Sequence, residues 1–172
     1  MKAGVVKAII FVRHAKASPK DLPIPDKDRP LRESGRSDLM LLKASLVAQS
    51  IKPEHIFSSS ANRAAQTGTI LAGFYGLCNR ISFFDDLYHN SENEMLDFIK
   101  QMDDELQRIM LVGHNPELED LVNLLYQDQM DTLLPTSACV CLSFKVDRWK
   151  SIKKNSGKVE YYEYPKKHKK EL

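Results

Sequence analysis

At 172 residues the chain is long enough for one domain with a full hydrophobic core and short for two. Its 42% hydrophobic and 28% charged residues are a globular composition, and a formal charge of +2 gives no overall attraction to nucleic acid, so any affinity for anions must be local. No apolar run approaches a membrane span, and Cys78, Cys139 and Cys141 form no CxxC pair. Lys7 interrupts the apolar opening and no cleavage-like segment follows, so the expectation is a reduced, cytoplasmic protein, a monomer by preference.

The first element is Ala8-Ile9-Ile10-Phe11-Val12, a short apolar run bounded by charge, which reads as a buried central strand. It runs into Arg13-His14-Ala15-Lys16, where the strand opens into a loop. Ser18 to Pro30 is rich in Pro and Asp and reads as a loop over the mouth of a site. From Gly35 to Ser50, Leu39, Leu42, Leu46 and Val47 mark the stripe of a helix lying on a sheet. His55 to Ser58 is a second strand, and Ser58-Ser59-Ser60 offers a hydroxyl cap for a helix over Ala61 to Phe74 with Arg63 in its first turn. Gly73, Gly76 and Asn79 lead to a third strand, Ile81 to Phe84. A polar loop over Asp85 to Asn93 and a helix over Glu94 to Met102 precede a fourth strand, Ile109 to Val112, which ends in Gly113-His114-Asn115-Pro116. Leu118, Leu121, Val122 and Leu125 stripe the next helix, with Pro116 suited to its first turn.

From Ala138 the period becomes two, with Ala138, Val140, Leu142, Phe144 and Val146 on one face and Cys139, Cys141, Ser143 and Lys145 on the other. A turn at Ser156-Gly157 lets Lys158 to Tyr164 pair back as an edge strand. The fold expected is α/β: a three-layer α/β/α sandwich with a mainly parallel central sheet and an antiparallel C-terminal edge. It comprises one domain over residues 1–165 and a basic tail over 166–172, either solvated or a binding arm for an acidic partner.

Parallel strands bring Arg13 and His14, Arg63, and His114 to one sheet edge, where open α/β sheets bind ligands. Each guanidinium can hold two phosphate oxygens in its plane, and a neutral imidazole can attack, accept or donate a proton. The helix N-terminus after Ala61 adds backbone N–H groups. Together these suit a phosphoryl dianion. His55 and His168 read as ordinary surface histidines, and Cys139 and Cys141 as packed thiols, since no partner ligands stand at zinc spacing. Lys16 and Lys20 either steer anionic substrates or are solvated loop charges.

Four blocks stand in order along the chain: Phe11-Val12-Arg13-His14-Ala15; Arg29-Pro30-Leu31 with Gly35; Phe57-Ser58-Ser59-Ser60-Ala61-Asn62-Arg63-Ala64 with Gln66-Thr67; and Val112-Gly113-His114-Asn115-Pro116. Together they resemble the histidine phosphatase superfamily, the phosphoglycerate mutase-like group, and within it the short SixA-type phosphohistidine phosphatase branch. Ala15 stands where the family usually has Gly, a variation common in the short branch, which the lone Trp149 also fits. The resemblance implies His14 as nucleophile, Arg13 and Arg63 as phosphate clamps, His114 as the second histidine on the phosphoryl oxygens and Arg29 as a further phosphate-binding arginine. It also implies a phosphohydrolase with no cofactor and no metal, acting on a phosphorylated protein or a small phosphorylated substrate, away from nucleic acid and membranes. Members that cleave alcohol phosphates carry Leu-x-Glu after the third strand to protonate the leaving oxygen; here the matching residues are Leu87-Tyr88-His89. His89 serves as a weaker acid, Asp86 reaches in from one turn earlier, or no acid is needed. Two alternatives stand beside this reading. One is a non-catalytic module that binds a phosphorylated partner, against which both histidines argue; the other is a small-molecule phosphatase or mutase, though the chain lacks the long insertion that mutases use as a lid.

Overall fold

The computed structural model describes residues 6–128, 133–165 and 167. Six strands form one sheet: β1 (Lys7–Arg13), β2 (His55–Ser59), β3 (Ile81–Phe84), β4 (Arg108–Gly113), β5 (Cys139–Phe144) and β6 (Lys158–Glu163), in the order β3-β2-β4-β1-β5-β6. The first four run parallel, and β5 and β6 add antiparallel on the β1 side. Four helices connect them: α1 (Glu33–Ala48), α2 (Asn62–Tyr75), α3 (Glu92–Lys100) and α4 (Glu117–Leu125).

Alternation along each central strand builds two cores. Ile9 and Phe11 of β1 and Ile109 and Leu111 of β4 pack with α3, α4 and Trp149. Ala8, Ile10 and Val12, with Met110 and Val112, pack with α1 and α2. Each such Ile, Leu, Val, Phe or Met side chain, fully buried, contributes roughly 1.5–3 kcal/mol relative to exposure, which is why the central strands read as continuous apolar runs. Cys139 and Cys141 face the α1/α2 core as buried free thiols, and burial raises both thiol pKa values, that of Cys141 to about 11. Among the described residues no group of His, Cys, Asp or Glu is placed to hold a metal, and no helix is long and apolar enough to cross a membrane.

Several local expectations shift. Val47 lies off the buried stripe of α1 and is 58% exposed, because Leu39, Leu42 and Leu46 alone fill the space against the sheet. The N-cap of α2 is Ala61, which makes no side-chain cap bond; Ser59 Oγ instead accepts the Ala61 N–H (3.2 Å). Helix α3 begins two residues early, held by a capping box in which Ser91 and Glu94 satisfy each other's backbone N–H groups. The expected polar loop after β3 contains a 3-10 turn, Asp85–Leu87. Before β6 the left-handed residue is Asn155 (φ 54°), while Gly157 is needed for room: a Cβ there would lie 3.0 Å from Leu125 O and 2.9 Å from the Phe144 ring. The basic tail lies outside the described residues apart from Lys167, whose Nζ donates to Tyr162 O (3.3 Å); His168 also lies outside them.

Candidate active site

The parallel strands deliver their carboxyl ends to one edge, and there a cavity of about 300 Å³ is lined by Arg13, His14, Arg29, Arg63 and His114, with Lys16, Lys20 and Arg32 at its wall. His14 follows β1 directly. Its position is fixed by the chain on both sides: His14 N–H donates to Gly113 O (3.0 Å), and Ala15 N–H donates to Thr67 Oγ1 (3.0 Å), whose hydroxyl donates to Arg63 O (2.7 Å). Thr67 thereby ties the loop of His14 to the helix that presents Arg63.

The Arg-Pro-Leu block closes the other side. Ala17 and Leu31 form an isolated antiparallel bridge, Arg32 N–H donates to Lys16 O (2.9 Å), and Leu31 N–H donates to Gln66 Oε1 (2.8 Å). Gly35 is required here because a Cβ would run into the Lys16 carbonyl oxygen and lie 2.9 Å from Lys16 N, both backbone atoms that cannot yield cheaply. The pinned base carries Arg29 over the cavity.

The hydrogen bonds assign the tautomer of His14. Arg63 Nε–H donates to His14 Nε2 (3.3 Å), so Nε2 holds a lone pair; Nδ1 then carries the proton and donates to Ala15 O (2.8 Å). Burial first, then the charges of Arg63, Arg13 and Arg29, lower the His14 pKa to about 4, against the opposing Ala15 bond. His114 Nε2 shares a hydrogen bond with Ser59 Oγ (2.8 Å), which also accepts from Ala61 N–H. The His114 Nδ1 is a buried atom without a hydrogen-bond partner among the described residues. Burial, followed by His14 and Arg63, lowers the His114 pKa to about 3. The two rings lie 5.0 Å apart, both neutral at physiological pH. Arg13 donates through Nη1 to Leu134 O (2.8 Å), and its Nε is likewise buried without a partner among the described residues.

These shifts set a prediction. In the folded protein both imidazoles stay neutral from pH 8 to 5, so their ring nitrogens show no titration in NMR over that range; midpoints near 6.5 would contradict the assignment. The sign for stability follows, because the unfolded chain takes up protons at these two positions below about pH 6.5 and the folded one only near pH 4 and 3. Stability is therefore full above 6.5 and falls as pH drops through that window.

The proposed acids behave differently from the arginines. Asp86 and His89 are exposed and neither lines the cavity; the His89 ring stacks on Tyr88 at 3.8 Å. Lys16 is paired with the buried carboxylate of Asp38 (3.2 Å), and His55 is at the far end of β2, bonded to Ser82 Oγ (2.9 Å). Sequence reasoning missed Asp26 and Tyr88. Asp26, in a 3-10 turn over Asp26–Asp28, reaches both Arg29 and Arg63, and Tyr88 donates to it (2.7 Å) while its ring lies edge-on to His114 at 5.4 Å. The Tyr88 bond, then Arg63 and Arg29, hold the Asp26 carboxyl far below the usual carboxylate range despite partial desolvation. The one sequence signal for Asp26 is its place three residues before Arg29.

Residues 9–87 match the model of the histidine phosphatase superfamily (branch 1). The chain is 27% identical over 131 residues to an uncharacterized chloroplastic protein of Arabidopsis thaliana, a match covering 71% of this chain and 60% of that protein's length. In structure it is similar to a candidate phosphohistidine phosphatase SixA from Agrobacterium tumefaciens, with TM-score 0.79, 24% identity, and coverage of 92% of this chain and 98% of that one. It is equally similar to the protein histidine phosphatase SixA solved with tungstate, with TM-score 0.79, 19% identity, and coverage of 94% and 99%. The match to the histidine phosphatase superfamily (branch 1) thus lies in residues 9–87, while the fold shared with the SixA structures extends over nearly the whole chain.

Proposed function

We propose that the chain is a cytoplasmic phosphohydrolase working through a phosphohistidine on His14, with phosphohistidine in proteins or a related small phosphorylated compound as substrate. The observation that carries this reading is the state of His14, whose Nε2 lone pair sits among three arginines while its proton is held on Nδ1 by Ala15 O. In the first half-reaction Nε2 attacks phosphorus in line, and the bond from phosphorus to the leaving nitrogen or oxygen breaks with its electron pair as the leaving group gains a proton. In the second, water attacks phosphorus and the P–Nε2 bond breaks. Phosphate departs, the water's proton passes to phosphate or solvent, and His14 is neutral again. Arg13, Arg29 and Arg63 take the charge on the equatorial oxygens, bringing positive charge that a metal would otherwise supply, with the neutral His114 beside them in the cavity. The segment between β3 and β4 holds only a 3-10 turn and α3, which favours a phosphatase with an open site over a mutase with a lid.

The leaving group sets the substrate class. An alkoxide needs a proton in the transition state, whereas an imidazole leaves readily once protonated. With His89 and Asp86 exposed beside the cavity, we expect phosphohistidine and aryl phosphates to be preferred over alkyl phosphates. The test is a panel of phosphohistidine peptide, phosphoserine peptide, an aryl phosphate, sugar phosphates and nucleotides compared by kcat/KM with a chelator present. His89→Ala should reduce turnover of an alkyl phosphate more than that of phosphohistidine. Equal losses on both, or phosphoserine turned over as well as phosphohistidine, would remove the basis for this substrate class.

A further inference from the structure

The two arginines over the cavity are held by one carboxylate. Asp26 Oδ1 accepts Arg29 Nε–H (2.9 Å); Oδ2 accepts from Arg63 Nη2 (3.0 Å) and from the Tyr88 hydroxyl (2.7 Å); the Asp26 backbone carbonyl accepts Arg63 Nη1 (2.7 Å). Arg29 and Arg63 line the cavity and Asp26 does not. Resting on the reading of that cavity as a phosphoryl site, we infer that Asp26 is a positioning residue for phosphoryl transfer, fixing the planes of both guanidiniums so that their remaining N–H groups face the nucleophile.

The donor count on each guanidinium supports this. Arg63 gives Asp26 its end-on edge, Nη1 and one Nη2 N–H, which leaves the side-on edge with Nε directed at His14 Nε2. Arg29 gives Asp26 its Nε and gives Ser18 O an Nη1 N–H (2.5 Å), leaving Nη2 for an anion. A planar fork with one edge anchored is pre-organised for bidentate recognition, and the carboxylate between two cations offsets their mutual repulsion while the site is empty. Tyr88 completes the frame: its ring lies 5.8 Å from Arg63 Cζ and packs against His114, so one hydroxyl ties the second histidine to the arginine pair through Asp26. A phosphoryl group can enter on the free edges without displacing the carboxylate. Were Asp26 instead standing in the place of the phosphoryl oxygens, its removal would strengthen anion binding, so the two roles differ in the sign of one measurement.

That measurement is the affinity of the full chain for inorganic phosphate and tungstate, read as competitive inhibition of aryl phosphate hydrolysis, in wild type, Asp26→Ala, Asp26→Asn and Tyr88→Phe. The Asp26 side chain is 46% exposed on a loop, so the variants should melt within a few degrees of wild type. Asp26→Ala is expected to weaken phosphate binding at least tenfold and to lower kcat at least a hundredfold. Asp26→Asn, which keeps one acceptor oxygen, should fall between, and Tyr88→Phe should lose only a few-fold. Unchanged or tighter phosphate binding in Asp26→Ala would overturn the inference; should that variant fail to fold, the isosteric Asn carries the same comparison. A wild type that neither binds phosphate nor turns over would instead sink the phosphatase reading itself.

Discussion

Arg63→Ala is expected to lower kcat on an aryl phosphate by about 10²–10³, on the order of 3–4 kcal/mol of transition-state stabilisation, with a much smaller change in KM. Arg63 is 6% exposed, its Nε is 3.3 Å from His14 Nε2, and its backbone oxygen is bonded through Thr67 to the loop that carries His14. Charge that grows on the equatorial oxygens therefore develops beside a fixed cation already stripped of water, where such contacts are strongest. Lysine at the same position should recover little, because a point charge can neither hold the Asp26 carboxylate and backbone carbonyl together as the guanidinium does nor offer a second parallel N–H to phosphate. A rise in KM with kcat unchanged would instead mean that Arg63 binds ground state and transition state alike, as a phospho-partner binding module would require.

Much of this architecture was legible because burial dictates it. A strand covered on both faces must be apolar throughout, so β1 and β4 announce themselves, and the strand-helix alternation through Leu125 leaves a parallel sheet as the economical solution. Period two beginning at Ala138 marked the change to antiparallel pairing with β1. What was not legible lay where local chemistry, not burial, decides. Val47 fits the helical stripe by spacing, yet spacing does not say how wide the sheet surface is. The α3 boundary depends on a reciprocal bond between Ser91 and Glu94 that apolar periodicity does not register.

The site divides in the same way. Arg13, His14 and His114 sit at strand ends and Arg63 in the first turn of the following helix, so topology alone brings them together. Arg29 came from the motif, and the structure carries it to the same cavity on the base pinned between Ala17 and Leu31. Asp26 and Tyr88 belong to two connections 62 residues apart, neither with any periodicity, and their hydrogen bond exists only once β2 and β3 have paired and the loop has closed over them. No single-sequence pattern reports a contact of that kind. Attention to a carboxylate after β3 rested on the motif, whereas the carboxylate that meets the arginines comes from the loop before Arg29.

The central claim is that His14 Nε2 becomes covalently phosphorylated during turnover. The Nδ1–H bond to Ala15 O leaves its lone pair on the side of the ring that meets Arg63 Nε, and the low His14 pKa keeps it unprotonated throughout the physiological range. Removing the imidazole removes the ring nitrogen that meets Arg63 Nε among Arg13, Arg29 and Arg63, so His14→Ala should bring turnover to background, a loss of at least about 10⁴ for a group that acts as the nucleophile. The most direct measurement is rapid acid-free quenching of the enzyme mixed with a radiolabelled phosphate donor, followed by mapping of the label. The account predicts an acid-labile, alkali-stable phosphate on the peptide containing His14, formed within the first turnover and missing from His14→Ala. Label on His114, or turnover by His14→Ala near that of wild type, would contradict it.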